Sequence, residues 1–323
     1  MVQFFTSRLL QSVTILTIMS FVIFVLMGWM PGDPIDLMIA SNPKMTPAGA
    51  AHLRDLYGVD KPIIERYLNW LLSALRGDFG YSRLHSRPVL DVMFPALQNT
   101  LVLLGCSFVL ALSIGLPLGI FAASRPYSKF DYCINLLAFA GISIPPFWLA
   151  LLLIIVFAVL LGVLPAGGLG VHSGAGGIWE NLRFLILPVA SLTIASVGSH
   201  TRYMRSAMIE TLRQDYIRTA RAKGLSHRQV LLLHALRNAM IPVATVVALD
   251  FGSLFSGALI TETIFAYPGM GKLIFDAVMG NDFNLALVSL LFATVMTLSG
   301  NFLADISYVW LDPRLSYHRS DQK

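Results

Sequence analysis

Residues 202–237 read RYMRSAMIETLRQDYIRTARAKGLSHRQVLLLHALR. Eight of them are Lys or Arg, and only Glu210 and Asp215 oppose that charge. Apolar side chains recur at helical spacing: Met204, Met208 and Leu212, then Ile217 and Ala220, then Val230 and Leu231 with His234. Gly224 interrupts the pattern, and Ser226 is a residue type that caps a helix starting just after it. The stretch predicts two helices joined at a glycine turn. On charge alone it also reads as a basic loop touching lipid headgroups.

Outward from it, the chain is apolar. Of 323 residues, 56% are hydrophobic and 13% charged, with mean hydropathy +0.70 and net charge +5. Soluble domains carry about twice that share of charge, so the composition points to a membrane. Six apolar runs, near 9–30, 97–122, 133–161, 182–200, 240–264 and 285–310, are each long enough to cross a core of roughly 30 Å. Only helices satisfy their backbone within such a run. The first follows Arg8 and lacks a small-residue cleavage site, so it reads as a retained span rather than a signal peptide. Pro117, Pro145, Pro146, Pro188 and Pro242 fall inside runs and predict kinks. Cys106 and Cys133 read as small buried hydrophobes, with no disulfide or metal framework.

Orientation follows the short loops. Arg8, then Arg125 and Lys129, then 202–237, then Arg314, Arg319 and Lys323 share one side; Arg183 and Lys272 lie on the other. Both termini and the basic segment therefore belong in the cytoplasm. The expected organisation is a first span (1–30), an external subdomain (31–96), a five-helix core (97–311) holding a cytoplasmic loop (201–238), and a tail (312–323). Residues 47–57 and 64–75 have helical spacing, with Trp70 on the apolar face of the second. Residues 167–177 form a glycine-rich external loop. No internal repeat is evident.

The segment Tyr216-Ile-Arg-Thr-Ala-Arg-Ala-Lys-Gly-Leu-Ser226, with Pro242 beyond, resembles the cytoplasmic signature loop of binding-protein-dependent ABC importer permeases. Arg218-Thr219-Ala220 stands where the family's short form has Glu-Ala-Ala, the so-called EAA motif. Gly224 takes the glycine position, and Arg237 replaces a proline. These departures resemble the dipeptide/oligopeptide/nickel branch. The likeness continues at Pro31-Gly-Asp-Pro34, Gly77-Asp-Phe-Gly-Tyr-Ser82, Pro145-Pro-Phe-Trp148, Leu164-Pro-Ala-Gly-Gly168 and Glu262-Thr-Ile-Phe-Ala-Tyr-Pro-Gly-Met-Gly271.

The resemblance implies an all-α, six-span type I permease in the bacterial inner membrane. Its partners would be a second homologous permease, two cytoplasmic ATPases and an extracytoplasmic binding protein. Arg218, Thr219, Ala220, Arg221, Ala222, Lys223, Gly224, Leu225 and Ser226 would form the coupling helix that docks on an ATPase. ATP and Mg would sit on those partners, and this chain would bind no cofactor, metal or nucleic acid. The cargo would be di- or oligopeptides, or else nickel, glutathione, opines or oligosaccharides.

The residues themselves leave two other classes open. A proton-coupled transporter would use Asp250 and Asp305, the carboxylates inside spans. A membrane enzyme would need a catalytic set, and none appears. The nearest phosphate loop, Gly269-Met-Gly-Lys-Leu273, has Ala266 and Leu273 where glycine and Ser/Thr are required. No Gly-x-Ser-x-Gly turn occurs, and His200, His227 and His234 lack a zinc spacing. Asp250, Ser253 and Glu262 are the candidates for a translocation pathway, with a gate or structural role favoured for Glu262. Gly115 and Gly119, and Gly252, Ser253, Ser256 and Gly257, would allow close helix approach.

Overall fold

The computed structural model describes residues 2–29, 61–170 and 178–311; within these, the side chains of 2–5, 178–180, 251–257, 304 and 307–311 are not described. The expected helix at 47–57, the Pro31–Pro34 motif and the basic tail lie outside the described residues. In chain order the elements are α1 (Val2–Gly28), α2 (Ile63–Leu75), β1 (Tyr81–Ser82), β2 (Arg87–Pro88), α3 (Val89–Ser124), α4 (Lys129–Ser143) and α5 (Pro146–Leu153). They continue with α6 (Ile178–Leu212), α7 (Asp215–Ala222), α8 (His227–Gln229), α9 (Leu236–Ile264), α10 (Met270–Met279) and α11 (Phe283–Leu311). π-helical stretches, Ile154–Leu160 and Val230–Ala235, continue α5 and join α8 to α9.

Among the described residues five helices are long and apolar enough to cross a membrane, and α4 with α5 makes a sixth if counted as one broken span. That third span departs from expectation. A kink was predicted at Pro145 and Pro146, but the two pieces diverge by 98°. The residue before a proline is pushed out of the helical region. Two adjacent prolines impose this twice: Ile144 (φ −80°, ψ 124°) and Pro145 (φ −60°, ψ 131°) are both extended, and α4 ends. Pro146 then occupies the first turn of α5, where its missing N–H costs nothing. Single prolines do less, and α6 and α9 run through Pro188 and Pro242. The cytoplasmic segment also differs from a pair of helices. Its first part is the end of α6 followed by α7, and its second merges into the fifth span.

The described residues group into two compact units, cut within α3 and α11. The unit of residues 1–99 and 269–296 has a core of Phe24, Met27, Tyr67, Met93, Leu285 and their neighbours, with Trp70 packed against it as expected. Ser20 and Tyr67 share a buried 2.7 Å hydrogen bond between α1 and α2. Asp282, 1% exposed, organises the β1–β2 hairpin. It accepts from the Ser82 hydroxyl (2.6 Å) and the Leu84 N–H (2.9 Å) and caps α11 through the Leu285 N–H (3.3 Å). The Arg83 guanidinium donates to the Gly280 carbonyl.

The unit of residues 100–268 and 297–323 packs around α6. A Cβ added to Gly119 of α3 would lie 2.6 Å from the Thr201 carbonyl, and one added to Gly198 of α6 would lie 2.4 Å from the Ala138 carbonyl of α4. Without a hydrophobic force between helices in lipid, such backbone approach is what binds them. Gly119→Ala should destabilise the fold by about 1–3 kcal/mol, the usual cost of overpacking. It should appear as a lowered unfolding midpoint of the purified protein, and an unchanged midpoint would show that α3 moves aside freely. Cys106 and Cys133, expected to be buried, are exposed.

Candidate functional site

α6 ends in a turn in which the Arg213 and Gln214 N–H groups bond back to the Glu210 and Thr211 carbonyls. α7 then starts with Asp215 in its first turn and carries Arg221 in its last, both suited to the helix dipole. Its faces are sharply divided. Ile217 and Ala220, three residues apart, are buried against Met204 and Met208 of α6 and Val230, Ala235 and Ala239 of the next helix. Tyr216, Arg218, Thr219, Arg221, Ala222 and Lys223 are exposed. Arg218 has only a 3.5 Å contact to Asp215 between fully solvated side chains, worth little.

The end of α7 is locked. Gly224 has φ +81°, a left-handed backbone that glycine adopts without strain. Its N–H bonds to the Arg221 carbonyl (3.0 Å) and the Leu225 N–H to the Ala220 carbonyl (3.4 Å). That is the Schellman pattern, with Leu225 packed into the same cluster as Ala220. Two residues on, Ser226 forms a capping box with Gln229. The sequence reading of a glycine turn followed by a serine cap is what the chain builds. Of the nine residues assigned to coupling, Ala220 faces inward, Leu225 is half-buried and the other seven face outward.

A second feature supports the same region. The carboxylate of Asp131, 2% exposed, takes two 2.6 Å hydrogen bonds from Arg205, at Nε and Nη2. It also accepts from the Tyr127 N–H (2.8 Å) and Asn135 Nδ2 (2.7 Å). This bidentate geometry is the strong form of the pair, and it ties the start of α4 to the end of α6. Sequence reading counted Arg205 among the cytoplasmic charges and passed over Asp131. The available signal was Ser128-Lys-Phe-Asp131, a capping pattern heading an apolar run; the Asp131 N–H does bond to Ser128 Oγ (3.2 Å).

Two of the pathway candidates, Asp250 and Glu262, have different surroundings. Asp250 is 40% exposed, and its Oδ2 lies 3.6 Å from Nδ1 of buried His200, a pairing that residue spacing did not reveal. Glu262 is fully buried and accepts a 2.6 Å hydrogen bond from Thr100. It braces the turn after α9, where the Gly168 N–H bonds to the Phe265 carbonyl (2.8 Å) and a Cβ on Gly167 would collide with the Phe265 backbone. Two of the sequence motifs thus meet. Burial, and next the Glu262 carboxylate, pushes the Tyr267 phenol up to about 12. Asp305 is half-buried on α11. The Ser253 side chain lies outside those described. Among the described residues no group of His, Cys, Asp and Glu is arranged to hold a metal.

Apolar crossing helices interrupted by a clamped, solvent-facing basic helix define a multi-pass membrane protein by class. Residues 1–114 match the N-terminal family described as binding-protein-dependent transport system membrane component, and residues 115–317 match the binding-protein-dependent transport system inner membrane component. The chain belongs to this family of permeases and is a multi-pass membrane protein. It is 40% identical over 318 residues to the oligopeptide transport system permease protein AppB of Bacillus subtilis, covering 98% of this chain and all of that one. It is 33% identical over 340 residues to the dipeptide transport system permease protein DppB of Escherichia coli K12, covering 99% and 100%. Among solved structures, the inward-facing MetNI methionine ABC transporter aligns with TM-score 0.53 at 17% identity, over 68% of this chain and 95% of that one. An amino acid ABC transporter crystallised with histidines aligns with TM-score 0.52 at 17% identity, over 68% and 94%. The fold is that of a type I ABC permease.

Proposed function

We propose that this chain is one of two permease subunits of an ATP-driven importer that moves short peptides across the bacterial inner membrane. The observation that carries the reading is α7: an exposed basic face, with its apolar face keyed into α6 and α9 and its end locked at Gly224. Full-length similarity to AppB and DppB supports peptides as cargo. ATP and Mg belong to two ATPase partners, one docked on Arg218–Ser226 of this chain. A binding protein delivers the peptide from outside. This subunit binds no cofactor and hydrolyses nothing. Asp250 lines the passage: its carboxylate, 40% exposed inside a span beside His200, can meet water or a substrate amino group. Glu262, buried against Thr100, holds the outer turn.

The test is uptake of trialanine by proteoliposomes holding the complete complex and its binding protein. Uptake should require internal ATP and stop when the ATPases are inactivated. Uptake that survives ATPase inactivation and collapses with the proton gradient would instead favour a proton-coupled transporter using the His200–Asp250 pair. Failure to accept any peptide, with ATP-dependent uptake of another solute, would overturn only the cargo.

A further inference from the structure

A cleft of about 490 Å³ opens between α4 and α6, lined on one side by Asn135, Phe139 and Ile142 and on the other by Arg202, Tyr203 and Arg205 with the serines at 199 and 206. Its contents are ordered by depth. α4 and α6 are antiparallel: Asp131 meets Arg205, Gly198 abuts Ala138, and Gly141 abuts Ile194. The ion pair and the Gly198 contact are seven residues apart, about 10 Å along the axis. Along α4 the lining passes from Asn135 to the exposed Phe139 and Ile142, while α6 presents arginines and serines opposite them. The charged end is the one that the basic loops place in the cytoplasm.

The two arginines differ. Arg205 is neutralised by the Asp131 carboxylate. Arg202 stacks on the Phe139 ring at 4.4 Å from its centroid, and among the described residues no carboxylate pairs with it. Its charge is held in place by the ring and faces the open cleft on the side that the basic loops assign to the cytoplasm. The geometry points to a binding site for an anionic phospholipid: the phosphate on Arg202, with Tyr203 and the serine hydroxyls as further donors, and the acyl chains along Phe139 and Ile142. A phosphate monoanion shares the headgroup chemistry, but only a lipid also matches the apolar half of the cleft. Basic pockets between spans on the cytoplasmic side suit such headgroups.

The test uses the assembled transporter in detergent with photoactivatable phosphatidylglycerol or phosphatidylcholine, each carrying its reactive group on the acyl chain. Labelled peptides are then mapped. Phosphatidylglycerol should label the α4 peptide containing Phe139 about fivefold more than phosphatidylcholine, the equivalent of about 1 kcal/mol for one arginine near the surface. Arg202→Gln should remove that preference while Arg202→Lys keeps most of it. Full assembly of the Arg202→Gln complex, checked by gel filtration, guards against a folding artefact. Three results would overturn the proposal. Equal labelling by both lipids would remove the specificity. Displacement by millimolar inorganic phosphate would assign the cleft to a free anion. No label on α4, with crosslinks to the second permease instead, would make it a protein interface.

Discussion

Asp131→Ala should cost about 3 kcal/mol of stability. The carboxylate is buried and takes both forks of Arg205, whose own side chain is 23% exposed. Removing the acid leaves a largely desolvated guanidinium, and breaking such a pair is worth about 3–5 kcal/mol when both partners are buried. Partial exposure of Arg205 puts this case at the low end. Asp131→Asn should lose nearly as much, because an amide accepts at one oxygen only. The readout is the thermal unfolding midpoint of the purified complex, followed by uptake. Restoration by a second substitution, Arg205→Leu, would show that the stranded charge causes the damage. If the single variant unfolds like the wild type, the pair is ornamental and α4 is anchored by packing alone.

Gly224→Val should separate ATP hydrolysis from uptake. No side chain crowds the site, since a Cβ there meets nothing within 4 Å, so the penalty is conformational. A left-handed residue bearing a Cβ is strained by about 1–2 kcal/mol, more for a β-branched one. The equilibrium constant for the locked turn would fall roughly 5- to 30-fold. Uptake should fall by up to that factor while the ATPases, which carry their own site, continue to turn over. Gly224→Asn, which tolerates the same backbone, should retain most uptake. Equal uptake by the valine variant would mean that the turn merely connects helices.

These two predictions lie at opposite ends of what the sequence discloses. Gly224 and Ser226 act within six residues of themselves, through backbone conformation and capping, so their roles could be read directly. The spans could be read too, because lipid forbids unsatisfied backbone and forces long apolar runs. The third span shows the limit of that reasoning. Its hydropathy is continuous, but two adjacent prolines turn it through 98°, and a hydropathy window does not weigh backbone torsions. Pairings were less legible. Asp131 and Arg205 are 74 residues apart, and Ser82 and Asp282 are 200 apart. Neither the spacing nor the residue types single them out from other charges. The same holds for His200, which lacks a zinc spacing with His227 and His234 and whose neighbour Asp250 is brought beside it only by the packing of α9.

The double clamp on α7, by a Schellman turn at one end and by burial of Ile217 and Ala220 along its length, has a thermodynamic consequence. Fixing a residue's backbone costs about 1–2 kcal/mol, and a loop that orders on contact must meet that cost from its binding energy. Here the ordering is complete before any partner arrives. With α7 docked on an ATPase as proposed, the affinity of that contact can therefore stay modest, because none of it is spent on shaping the loop.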